Sequence, residues 1–168
     1  MSPAPGELTV AINDRTVGID MAGGSSFVIP HGPLSLLDGP LERADPPRPE
    51  HLTNALAAVH DHLDDILIDT PAVADCTLVV ATGGHALALA RVEIGNETIP
   101  SNYRLHRAAA DDLFRTLVAE PVAERLFNPC LTNEHVETIV GTCCVILAIM
   151  RRLELNDIEV SSADQGVD

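Results

Sequence analysis

Gly18-Ile19-Asp20-Met21-Ala22-Gly23-Gly24-Ser25-Ser26 reads as a strand ending in an acid, a glycine-rich turn, and a serine opening the next strand. Glycines let a backbone turn tightly and bring its N–H groups close to a bound oxyanion. Ser25 adds a hydroxyl donor. Asp20, at the strand end, is placed to hold a cation directly or through water. Gly23, Gly24 and Ser25 are therefore candidate phosphate-binding residues, and Asp20 is a candidate metal ligand.

Outward from this stretch, the spacing predicts strands on both sides. Glu7 to Ile12 alternates weakly, Asn13-Asp14-Arg15 is a turn, and Thr16 to Asp20 carries Val17 and Ile19 on one face. Ser26 to Ile29 returns as a strand, and Pro33 to Leu37 is expected to be another, after Pro30-His31-Gly32. Together they read as an antiparallel meander. Asp45-Pro46-Pro47-Arg48-Pro49 breaks the chain before a helix whose Leu52, Leu56, Val59, Leu63, Ile66 and Leu67 share one face. Thr77 to Ala81 is a continuous apolar run, expected to be a buried strand. Gly83-Gly84 closes it, and a short Ala/Leu helix begins at His85. Glu93 to Arg104 reads as a loop. Helices follow over Asp111 to Ala119 and Asn133 to Leu153, and Ile158 to Val160 reads as a last strand. The predicted fold is α/β, a mixed five-stranded sheet with helices packed on it. Residues 1–168 form one expected domain: a flexible lead over 1–6, a core over about 7–160, and an acidic tail over 161–168.

Composition narrows the chemistry. Of 168 residues, 46% are hydrophobic and only 2% aromatic, so the core must be aliphatic. The formal charge of −15 opposes contact with nucleic acid or an acidic membrane. An anionic substrate then needs a local site of backbone N–H groups, arginines or a cation. Cys76, Cys130, Cys143 and Cys144 match no zinc spacing and are expected to be free thiols. With no signal peptide and no membrane-length apolar run, the expected location is cytoplasmic.

Six segments together carry a family resemblance. Gly18 to Ser26 is similar to the D-[IV]-G-G-G-S loop of the exopolyphosphatase/guanosine-pentaphosphate phosphatase family, and Leu34 to Gly39 to its S-L-P-L-G strand. Asp45-Pro46-Pro47 matches a D-P-P before the next helix, and Val79 to Gly84 resembles the V-G-x-[AG]-G-T strand and loop. Glu134 to Ile139 resembles R-V-D-x-I at the head of a long helix, and Val160 to Asp164 the closing V-S-x-x-D-L. Ala22 stands for the first loop glycine, and His85 for the Thr after the second glycine pair.

The resemblance implies an actin-like ATPase domain of the ribonuclease H-like type, corresponding to the family's second, C-terminal domain. It implies release of terminal phosphate from polyphosphate or guanosine pentaphosphate, with Mg²⁺ as cofactor. Phosphate would meet Gly23, Gly24, Ser25, Gly83 and Gly84 in one cleft, with magnesium on Asp20. The general base would belong to a first domain, supplied by a partner chain. A homodimer is the other assembly considered. A different class of function is also open: a non-catalytic, degenerate phosphate-binding or assembly domain.

Two local patterns read as solvated surface. His60-Asp61-His62-Leu63-Asp64-Asp65 spreads its ligating types over different helix faces. Tyr103-Arg104-Leu105-His106-Arg107 is the one local basic cluster, read as an exposed loop that offsets nearby acids.

Overall fold

The computed structural model describes residues 3–161. The predicted tail therefore lies outside the described residues except for Ser161. The architecture is a six-stranded mixed sheet with helices packed on it. In chain order the strands are β1 (Glu7–Ile12), β2 (Val17–Met21), β3 (Ser26–Ile29), β4 (Leu78–Thr82), β5 (Tyr103–His106) and β6 (Asp157–Val160). The helices are α1 (Pro33–Asp38), α2 (Pro49–Asp69), α3 (Gly84–Ile94), α4 (Arg107–Ala119), α5 (Val122–Arg125) and α6 (Ile139–Arg152). Across the sheet the order is β3-β2-β1-β4-β6-β5. β1, β4 and β6 run parallel, β2 and β3 extend the β1 side as antiparallel hairpins, and β5 pairs antiparallel to β6.

Alternation decides which face of β1 is inside. Leu8, Val10 and Ile12 are fully buried, whereas Glu7, Thr9 and Ala11 are half-buried. Removing each large aliphatic side chain from water contributes about 2 kcal/mol. α2 follows the predicted period, with Val59, Leu63, Ile66 and Leu67 buried. α6 differs: every residue from Ile139 to Met150 is buried. A helix apolar on all sides belongs in the middle of a helical layer, and α6 packs against α1, α2, α3 and α4. At Gly141 a Cβ would stand 2.6 Å from the Pro33 carbonyl oxygen, so the approach of α1 to α6 requires glycine. Arg151 and Arg152, in the last turn, pair with Asp111 of α4 and Asp64 of α2.

Three predicted elements are corrected. The sheet has six strands where five were expected, and Tyr103–His106, inside the segment read largely as a loop, is one of them, paired with β6. The basic cluster is part of this edge strand: Arg104 pairs with Asp157 at 2.8 Å, and the Tyr103 hydroxyl donates to Glu93. Pro33–Leu37 is not a strand; Pro33 sits in the first turn of α1, where its missing N–H costs nothing, and Leu36 and Leu37 turn inward. The long helix predicted from Asn133 begins only at Ile139. Before it, short-range bonds from His135 N to Thr132 O and from Thr138 N to His135 O wind residues 133–138 into tight turns.

Candidate functional site

In open α/β sheets ligands bind beyond the carboxyl ends of the parallel strands. Here that end is built by the β1–β2 turn (residues 13–16), the β4–α3 junction (residues 82–85), the start of α1 and the 131–138 segment. The register places Gly83 and Gly84 at this end, since Thr82 pairs with Ala11.

Gly23, Gly24 and Ser25 are at the other end. They form the β2–β3 turn, and Asp20 pairs with Thr9 and Ser26 near the start of β1. From the level of Glu7 to that of Ile12 is about 15 Å of strand. The expectation that both glycine pairs face one cleft is therefore corrected: an antiparallel hairpin reverses the chain between them. Gly24 N already donates to Met21 O at 3.3 Å, and Met21 N to Ser25 O at 2.9 Å. The Ser26 hydroxyl donates to Asp20 Oδ1 at 2.6 Å.

The donor set at Asp20 does not fit a protein-held magnesium. It is an exposed carboxylate engaged by a neighbouring hydroxyl, and among the described residues it belongs to no group of three potential metal ligands. Among the described residues, the three side chains able to share an ion are His60, Asp61 and Asp64, whose ligand atoms lie within 4.8 Å of one another. The cluster brings together residues read from sequence as a solvated face. It is at the surface, Asp64 is shared with Arg152, and His60 Nδ1 lies 3.3 Å from Asp64. An imidazole and a carboxylate already bound by arginine suit a hard, oxygen-preferring ion poorly.

At the carboxyl end the chain fills its own site. His85, at the second position of α3, places Nε2 2.6 Å from Asp14 Oδ1 of the β1–β2 turn. The His85 side chain is 7% exposed and Asp14 71%. His85 Nδ1 is buried with no hydrogen-bond partner among the described residues. The His135 ring meets that of His85 edge-on, with centroids 5.0 Å apart. It also covers Gly84, where a Cβ would lie 3.5 Å from His135 Nε2. His135 Nδ1 makes a long contact of 3.4 Å with the Thr132 hydroxyl. Burial, followed by the neighbouring His85, holds the His135 pKa below its ordinary value.

The backbone of this corner is tightly bonded. Asp14 O accepts from Leu34 N at 2.8 Å, and Arg15 O accepts from the Ser35 hydroxyl at 2.9 Å. Gly83 has φ +103°, and a Cβ there would fall 2.8 Å from Ile12 O. It is thus a glycine by both conformation and space. The β1–β2 turn itself, Asn13-Asp14-Arg15-Thr16, contains no glycine. Asp14, Thr132 and His135 were not singled out in the sequence; the available signal was that their turns follow or face a parallel strand end.

The fold is similar to that of a solved exopolyphosphatase-like protein, with TM-score 0.84 and 16% identity over 95% of this chain and 56% of that one. It is similar to the PPX-GPPA enzyme of Aquifex aeolicus, with TM-score 0.80 and 17% identity over 92% of this chain and 52% of that one. An exopolyphosphatase from Cytophaga hutchinsonii matches with TM-score 0.69 and 22% identity over 92% and 52%. The resemblance read in the sequence is thus borne out at the level of fold. The chain spans about half the length of each of these structures. No family model matches the sequence, and no curated protein does. Among the described residues, no helix is long and apolar enough to cross a membrane.

Proposed function

We propose that this chain is a non-catalytic assembly domain built on one half of the exopolyphosphatase fold, pairing with another domain through the carboxyl end of its sheet. The observation that carries the reading is the His85–Asp14 contact of 2.6 Å. It puts a carboxylate of the chain beside the first turn of α3, where a helix N-terminus would otherwise favour a bound phosphate. A turn without glycine, already bonded to α1, cannot wrap an oxyanion in its amides as a glycine-rich loop does. Leu126 and Phe127, in the segment between α5 and the Thr132–His135 turn, are 51% and 86% exposed, an apolar step suited to a covering partner. The partner would be another chain or segment supplying the complementary half; a second copy of this chain is the alternative occupant.

The test is phosphate release from polyphosphate and from guanosine pentaphosphate, with Mg²⁺ present, using the full chain. No turnover is expected. Turnover by the chain alone would refute the reading.

A second reading keeps hydrolysis of a terminal phosphate, with the general base and magnesium brought by a partner. The observation favouring it is Gly83–Gly84, whose backbone reaches the sheet end with no side chain of its own. It requires a phosphate-containing ligand to displace Asp14 from His85. Phosphate protection of His85 and Gly84 amide signals would support it. Gly23, Gly24 and Ser25 would contribute only as a separate anion contact.

A further inference from the structure

Arg125 is the one permanently charged side chain among the described residues that is buried, at 3% exposure. Its Nε donates to Leu117 O at 3.3 Å and its Nη1 to Val136 O at 3.0 Å. A guanidinium has five N–H groups; the other three have no partner among the described residues. No carboxylate lies within 4.0 Å of it there, which is unusual, since a buried charge normally has an ion partner. Burial pulls its pKa down, and Asp45 and Glu120 oppose this from a distance; arginine remains protonated.

Arg125 lines a cavity of about 190 Å³. A space of this size holds several water-sized groups and suits a molecule of about seven heavy atoms. Leu37, Leu41, Pro47, Val122 and Val140 provide an apolar wall. The other charges at the rim are engaged. Arg43 binds Asp38 at 2.6 Å and Glu137 at 3.6 Å, and Asp45 Oδ1 accepts from Val122 N at 2.7 Å. Arg125 is thus a cation with unused donors, next to a small greasy space.

We propose that this cavity is a binding site for a small aliphatic monocarboxylate, its carboxylate on the free N–H groups of Arg125 and its chain against Leu41, Val122 and Val140. A planar guanidinium matches a carboxylate bidentately. The apolar wall selects against phosphate, which has no side able to shed water. The rim acids select against a second negative charge and limit the ligand to one.

The experiment is a titration of the full-length chain with valerate, followed by amide chemical shifts and by calorimetry, with inorganic phosphate and butylamine as controls. Valerate is expected to bind and to move signals of residues around the cavity, while phosphate and butylamine leave them unmoved. Arg125→Lys, which keeps charge but loses the planar fork, is expected to bind at least about tenfold more weakly, the size of one charge-assisted hydrogen bond. Because Arg125 also holds two carbonyls, Val140→Phe serves as a second variant. It fills the cavity and leaves the guanidinium in place, and it is expected to abolish binding with the fold intact by amide spectrum. Absence of valerate binding to the folded wild type would overturn the proposal. Unchanged binding by Val140→Phe, or equal binding of phosphate, would do so too.

Discussion

His85 Nε2 and Asp14 Oδ1 lie 2.6 Å apart, joining the junction after β4 to the turn after β1 across the carboxyl end of the sheet. The histidine is buried and the carboxylate is largely in water. The contact thus works as a latch, with one half fixed by packing and the other free to leave.

Asp14→Ala should open that latch at modest cost. Losing one hydrogen bond to a solvent-exposed carboxylate is worth about 1 kcal/mol. Urea unfolding should show the unfolding free energy falling by that amount, as a lower midpoint with an unchanged slope. The His85 ring signals should shift at the same time. A loss several times larger would mean that Asp14 supports the turn in some way other than through His85.

Gly83→Ala should be far more harmful. The new Cβ would meet Ile12 O at 2.8 Å in a backbone held at φ +103°. Strain in that region and overpacking against a central strand each cost about 1–3 kcal/mol. Gly24→Ala is the control: it has a similar φ of +91° but nothing within 4 Å of an added Cβ. Thermal unfolding of both should rank Gly83→Ala clearly below Gly24→Ala.

Acidification should weaken the fold. His135 is held below the ordinary histidine pKa by burial and then by His85, with Glu134 and Asp14 opposing and Arg91 assisting. His31 is lowered by burial and by His62, whose ring is 5.1 Å away. The unfolded chain therefore takes up protons at a higher pH than the folded one. Stability is complete above the ordinary value of about 6.5 and declines as pH falls toward the lowered pKa values. Chemical denaturation at pH 7 and pH 5 should show this. His135→Leu should flatten the slope; an unaltered slope would assign the effect to other groups.

The thiols should react in order of access. Cys143 and Cys144 are buried in α6, and burial pushes the Cys144 thiol up to about 12 and Cys143 higher still. Cys76 is half-buried, raised by burial and by Asp75. Iodoacetamide should mark Cys76 in the native protein, while Cys143 and Cys144 should stay unmodified until denaturant is added. Mass spectrometry of the peptides reads this directly.

Sequence and structure agree where a pattern is long and disagree where partners decide. α2 was legible because its apolar residues recur at helical spacing over 21 residues. β5 was not, because Tyr103-Arg104-Leu105-His106 alternates over only four residues, too few to show a period; β6 makes it a strand. Pro33–Leu37 is apolar but too short to reveal its period, and the proline at its head was the better guide. The site was harder still. Gly23–Gly24 and Gly83–Gly84 look alike as text, and only the directions of β1, β2 and β4 separate them to opposite ends. His85 was seen as a substitution for a hydroxyl, yet its acid partner lies 71 positions earlier, beyond the reach of local spacing.

β6 fills the slot between β4 and β5, although it is synthesised after both. Until it emerges, β4 has one open flank and β5 has no neighbour at all. The half of the sheet made of β1 to β4 can assemble during translation, but the outer half must wait for a strand that arrives behind four helices. A ribosome paused before Asp157 would therefore hold a chain with an unguarded, aliphatic sheet margin, the form most exposed to misassembly.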